Sequence, residues 1–166
     1  MGSLLAPLTD PGRIPPLKAV VIGVLLLAVP LAWWTILRLA GTSVPAPAPS
    51  GLSMTLIIVA ALVVAPLLET AVLLVLHWLM VVRFGADRST FVLAAVATAV
   101  VAHLPLTLVR TPVTAAIFVV FALVYAGWFA SRGWRWAFLG AALAHATYNA
   151  GSLALSPVFA WLLRPA

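Results

Sequence analysis

The sequence predicts an all-α fold: a polytopic transmembrane helix bundle with about five spanning helices. Three observations predict it. Charge is scarce: nine Lys or Arg and three Asp or Glu make up 7% of the 166 residues, where a soluble globular domain carries about 25%. Hydrophobic residues make up 65% of the chain, which excludes disorder, since a disordered segment needs low hydrophobicity. Uncharged stretches run over 19–37, 39–68, 89–109, 111–131 and 136–163, and each has the roughly 20 residues a helix needs to cross a bilayer. An N-terminal cytoplasmic or interfacial segment, 1–17, is expected to precede a single transmembrane domain, 18–166.

The elements follow in order. The first helix is expected over about 18–40, kinked at Pro30. A signal peptide is the rival reading, but the apolar run is long and Arg38 closes it without a small-x-small cleavage site. Gly41-Thr-Ser-Val-Pro-Ala-Pro-Ala-Pro-Ser-Gly51 is a proline-rich loop that cannot be helical throughout. The second helix, about 54–82, contains Pro66 and Glu69. At about 1.5 Å per residue it exceeds a hydrocarbon core of about 30 Å, so it should tilt, kink or protrude. Arg83-Phe-Gly-Ala-Asp-Arg88 reads as a polar turn with Ser89 or Thr90 as the next N-cap. A third helix is expected over 90–109. Thr111-Pro112 opens a fourth to about 130, as cap and first-turn proline. A fifth spans about 135–153, and residues 155–163 are too few for another crossing.

With the N-terminus inside, Arg13, Lys18, Arg83, Arg88, Arg132 and Arg135 fall on the cytoplasmic side, and Arg38, Arg110 and Arg164 outside. That excess sets the expected orientation. Trp33, Trp34, Trp134, Trp136 and Trp161 lie near span ends, as interfacial anchors. The chain has no cysteine, so disulfides, zinc–thiolate sites and cysteine nucleophiles are excluded. Its basic residues are scattered singly, so the net charge of +6 marks topology and not a nucleic-acid patch.

Of the three acids, Asp10 and Asp87 sit in polar, turn-like contexts, while Glu69 stands near the middle of a predicted span. A carboxylate at membrane depth costs about 2.5–3.5 kcal/mol on insertion scales and defaults to function. His103, His145 and Asn149 are the other deep hydrogen-bonding groups. His145 and Asn149 are spaced i, i+4 on one face, flanked by Ala142 and Ala146, which let another helix approach closely. His77 is eight residues beyond Glu69, about 80° around the helix, and reads as structural. Taken singly, His103 reads better as a packing residue, and the His145–Asn149 pair as readily as interhelical glue. One acid, two imidazoles and an amide on three helices, however, can converge in one polar pocket.

Such a set can hydrolyse an amide without a covalent intermediate. Glu69 would act as general base on water, and the imidazoles and Asn149 would orient that water and donate to a tetrahedral oxyanion. The same residues include a Glu-plus-two-His zinc-ligand set, and spacing alone does not choose between the two. Serine chemistry of the rhomboid type fits poorly, because no histidine follows Ser152. Aspartyl intramembrane proteolysis needs two embedded aspartates, which the chain lacks.

Ala65-Pro66-Leu67-Leu68-Glu69, Ala102-His103-Leu104-Pro105 and Ala144-His145-Ala146-Thr147-Tyr148-Asn149 resemble the three motifs of the CPBP family, the CAAX-protease and bacteriocin-processing (Abi) intramembrane proteases. The resemblance covers about 54–153, including the turn Arg132-Gly-Trp-Arg-Trp136. It implies a glutamate-dependent endopeptidase in which Glu69 activates water, His103 helps position it, and His145 with Asn149 stabilises the oxyanion. It implies no required cofactor, although a divalent metal stays open. It also implies a membrane-anchored or lipidated peptide substrate, no nucleic acid, and an integral, multi-pass location in a prokaryotic-type plasma membrane, with association with other membrane proteins open. The chain departs from the motifs at three positions: Thr70 replaces a second glutamate, Leu74 an arginine and Ala99 a phenylalanine. Losing the second glutamate and the arginine together avoids stranding one buried charge. The rival expectation is an inactive relative serving as an immunity factor or membrane-complex subunit. A proton-coupled carrier using Glu69 is a third, weakened by the lack of an internal repeat.

Overall fold

The computed structural model describes residues 10–11, 15–42, 51, 53–104 and 108–162. Within them the chain is helical, with no strand among the described residues. Most of the proline-rich loop, most of the N-terminal segment, Pro105 and Arg164 lie outside the described residues.

Helices α1 (Pro15–Leu25) and α2 (Ala28–Leu39) form one rod of 25 residues broken at Leu26 and Leu27. Pro30 has no N–H to offer the Leu26 carbonyl. The Val29 N–H takes that carbonyl at 3.1 Å, and the Leu27 N–H reaches Val24 O at 3.1 Å, so the chain tightens to i→i−3 bonds just ahead of the proline. From the first turn of α1, the Lys18 ammonium donates back to the Asp10 carbonyl.

The second rod spans Met54–Arg83, 30 residues. It comprises α3 (Met54–Val59), a π-helical turn (Ala60–Val64), α4 (Ala65–His77) and a second π-helical turn (Trp78–Arg83). Ser53 caps it by accepting the Leu56 N–H at 3.3 Å. The rod expected to kink thus carries two local overwidenings of the ladder, the first immediately before Pro66.

Helix α5 covers Arg88–His103, and two expectations are corrected there. The N-cap is Asp87, not Ser89 or Thr90: its carboxylate accepts the Thr90 N–H at 2.7 Å, the third-position donor that an N-cap side chain reaches. Hydrogen bonding from the Thr90 backbone and then its side chain holds Asp87 below the usual carboxylate range. The helix also stops at His103 and does not run to 109. The Leu104 N–H still reaches Val100 O, but proline at 105 has no N–H with which to continue the ladder to Val101. Leu108–Arg110 forms a single 3₁₀ turn.

Helix α6 (Thr111–Arg132) opens with Pro112 as expected. Gly133, at φ +81°, ends it, and α7 (Trp134–Ala154) and the short α8 (Ser156–Leu162) follow. Three helical stretches are long and apolar enough to cross a membrane: Pro15–Leu39, Met54–Arg83 and Leu108–Arg132. At 16 residues α5 is a shorter apolar helix. The 21-residue α7 has the length, but its sequence includes His145, Tyr148, Asn149 and Ser152.

Helix α7 is central, packed against α1, α4 and α6, while α6 packs on α5. Small residues allow the close approach. A Cβ at Gly23 would run into the Ala144 carbonyl and Thr147, and one at Gly140 into the Trp128 ring. Trp128, Tyr125, Phe91, Phe121 and Val124 are fully buried. The exterior is strongly apolar: Leu39, Phe84, Leu93 and Leu108 are 70–83% exposed. Of the tryptophans expected as anchors, Trp134, Trp136 and Trp161 are exposed, but Trp34 is buried. It packs against Leu37, Val109 and Phe159, because α2 is covered on that side by α8 and the segment before α6. Arg38 fastens the α2–α8 contact, donating to the Trp161 carbonyl at 2.8 Å and lying 4.4 Å over its ring.

Candidate functional site

Glu69, His103, His145 and Asn149 line one cavity of about 860 Å³. They reach it from three helices. Glu69 lies in the first half of α4, after the π turn. His103 is the last residue of α5. His145 and Asn149 are one turn apart on α7.

Glu69 lies between the two imidazoles. Its Oε1 is 3.9 Å from His103 Nε2 and its Oε2 is 3.6 Å from His145 Nδ1. Both separations exceed a direct hydrogen bond, and Oε2 is shielded from solvent with no hydrogen-bond partner. The Glu69 side chain as a whole is nevertheless 26% exposed and that of His103 31%, so the site is open to the cavity.

The tautomer of His103 follows from its backbone contact. Nδ1 lies 2.8 Å from the Ala99 carbonyl. A carbonyl only accepts, so Nδ1 carries a proton and Nε2 is the nitrogen left to face Glu69. The Ala99 position, where the resemblance expects phenylalanine, therefore acts through its backbone. His145 is buried, its ring 4.7 Å from Phe121 and edge-on to Phe118 at 6.0 Å. Asn149 Nδ2 donates to the Ala61 carbonyl at 2.7 Å, tying α7 to the π turn before Glu69.

His77 does not line this cavity. It is buried among Phe91, Tyr125 and Phe129, with ring centroids 4.2–5.5 Å away. Thr70 is 2% exposed and Leu74 packs on the core. A glutamate at 70 and an arginine at 74 would thus enter the packed side of α4, where an unpaired charge is strongly unfavourable.

The cavity also holds groups that the sequence reading passed over. Arg110 counted only as a topological charge, yet it lines the cavity half-buried, with its Nε shielded and unpartnered. Nothing in its local sequence separates it from a flanking arginine. Tyr148 and Ser152 line the cavity too, and their signal was present: 145, 148, 149 and 152 are the spacing of one helical face. Among the described residues, no group of three or more His, Asp or Glu is arranged to hold a metal ion. Comparison with protein-family models, with curated proteins and with solved structures returned no match.

Proposed function

We propose that this chain is a multi-pass membrane protein with a cytoplasmic N-terminus, and an intramembrane endopeptidase of the CPBP type. Its substrate would be a membrane-anchored or lipidated peptide, cut by a glutamate-activated water. The membrane reading draws support from three helices of spanning length and from an exterior of exposed Leu, Val and Phe.

The observation that carries the catalytic reading is the Glu69–His103 geometry. With Nδ1 donating to Ala99, a neutral His103 would present Nε2 as an acceptor 3.9 Å from Oε1 of an ionised Glu69. Two facing acceptors need a shared donor, and a water molecule donating one hydrogen to each satisfies both. That water would be oriented for attack. In the reaction its proton passes to Glu69 as its oxygen bonds to the scissile carbonyl carbon. His145, or the second N–H of Asn149, stabilises the oxyanion. The C–N bond then breaks as Glu69 returns the proton to the leaving amine.

The inactive-relative reading is favoured by one observation, the replacement of two motif charges by buried Thr70 and core-packed Leu74. Reconstitution in lipid vesicles with a panel of membrane-spanning and lipidated peptides separates the two. The endopeptidase reading expects cleavage by wild type and none by a folded Glu69→Ala protein. Equal cleavage by both would reject it.

A further inference from the structure

Pro66 precedes Glu69 by three residues, its side chain is fully buried, and the proposed hydrolysis gives it no part. It directly follows the residue that closes the first π turn. There the Ala65 N–H bonds to the Ala60 carbonyl, five residues back. The Ala61 carbonyl is left without a helical donor in either register. In an α-helix it would accept from Ala65 N–H, which Ala60 has taken. In a π-helix it would accept from residue 66, and proline has no N–H. Asn149 supplies the missing donor from α7, at 2.7 Å. Because a carbonyl only accepts, the bond also settles which end of the amide is nitrogen.

We propose that Pro66 is a positioning residue. By withholding an N–H from Ala61, it turns that carbonyl into an anchor that holds the Asn149 side chain in the cavity beside Glu69 and His145. The catalytic consequence rests on the endopeptidase reading; the anchoring itself rests on backbone geometry alone. The device couples two features of the sequence that lie 83 residues apart, a proline ahead of the acid and an amide after the second imidazole.

Asn149 is the only asparagine and the chain has no glutamine, so protein labelled with nitrogen-15 asparagine gives a single side-chain NH₂ pair. In wild type, one proton of that pair should be shifted downfield and exchange slowly. In Pro66→Ala, which restores the N–H, the pair should move toward free-amide positions, with exchange faster by about tenfold or more, about the loss of one hydrogen bond. Pro66→Val keeps more buried apolar volume and serves where Pro66→Ala is unstable. On a cleaved peptide, Pro66→Ala should lower kcat about 100-fold, as a misplacement of about 1 Å does, with KM little changed. Added to Asn149→Ala it should lower kcat no further, because both act through one group. NH₂ signals unmoved by both proline variants, or losses that add, would overturn the proposal. Signals that move in a protein that cleaves nothing in any form would leave the anchor standing and count against the endopeptidase reading.

Discussion

At 3.6 and 3.9 Å from two imidazole nitrogens, Glu69 is close enough to share a water with either and too far to bond either directly. Under the proposed hydrolysis, this spacing gives His103 a share in orienting the water. Its Nδ1 is committed to Ala99, so the backbone holds its Nε2 toward Glu69. His103→Ala is expected to reduce the cleavage rate by about 100-fold, the lower range for loss of a positioned acid–base partner. Helical circular dichroism should be retained, and initial-rate measurements on vesicle-reconstituted protein check it. That Glu69, His103, His145 and Asn149 share this cavity was legible in the sequence because polar groups are rare in its long apolar runs and two of them share a helical face. Arg110 was not, because an arginine beside a span end has an ordinary explanation in topology. It shares the cavity lining with Trp34 of α2 and Phe159 of α8, a juxtaposition that no local pattern encodes.

At the scale of elements, proline and glycine placement decides how the helices meet. The α1–α7 contact needs a hydrogen at position 23, where a methyl would meet the Ala144 carbonyl on a rigid backbone. Gly23→Ala is therefore expected to destabilise the protein by about 1–3 kcal/mol, the usual range for overpacking, read as a lower thermal midpoint in detergent. A cap governs the start of α5. Asp87 is held ionised below the usual carboxylate range by Thr90. A depressed pKa stabilises fully above the unfolded value and is lost as pH falls through the folded one. Hydrogen exchange at the first turn of α5 should thus accelerate on acidification in wild type. In Asp87→Asn, which caps without titrating, this acid-induced change should be absent. Element types and most boundaries were readable from uncharged runs and prolines. The cap was misplaced by two or three residues because Asp, Ser and Thr compete in Asp87-Arg-Ser-Thr90, and only geometry chooses among them. The end of α5 was missed because an uncharged run continues past a proline that the helix does not cross.

For the whole molecule, the proposed arrangement assigns each polar turn a side of the membrane. The chain has no cysteine, so single cysteines report topology without background. Cysteines replacing Ala86 and Gly133 should react with a membrane-impermeant thiol reagent only from the cytoplasmic side, and one at Thr42 only from outside; the opposite pattern would invert the bundle. The helical class was legible from the long uncharged runs, and three stretches of spanning length fit the membrane expectation raised by twelve charges in 166 residues. The way α7 threads the middle was not, because its glycines and alanines carry no periodic apolar signal and two of its partners, α1 and α4, are distant in sequence. The central claim is that Glu69, the only glutamate in the chain, activates the water that cuts the peptide. Its most direct test is mass spectrometry of cleavage products formed in oxygen-18 water by wild type and by Glu69→Gln, a near-isosteric change that removes the base. Wild type should yield a new C-terminal carboxylate carrying the heavy oxygen, and folded Glu69→Gln should form product at least about 1000-fold more slowly. Labelled product from Glu69→Gln at the wild-type rate would contradict the account.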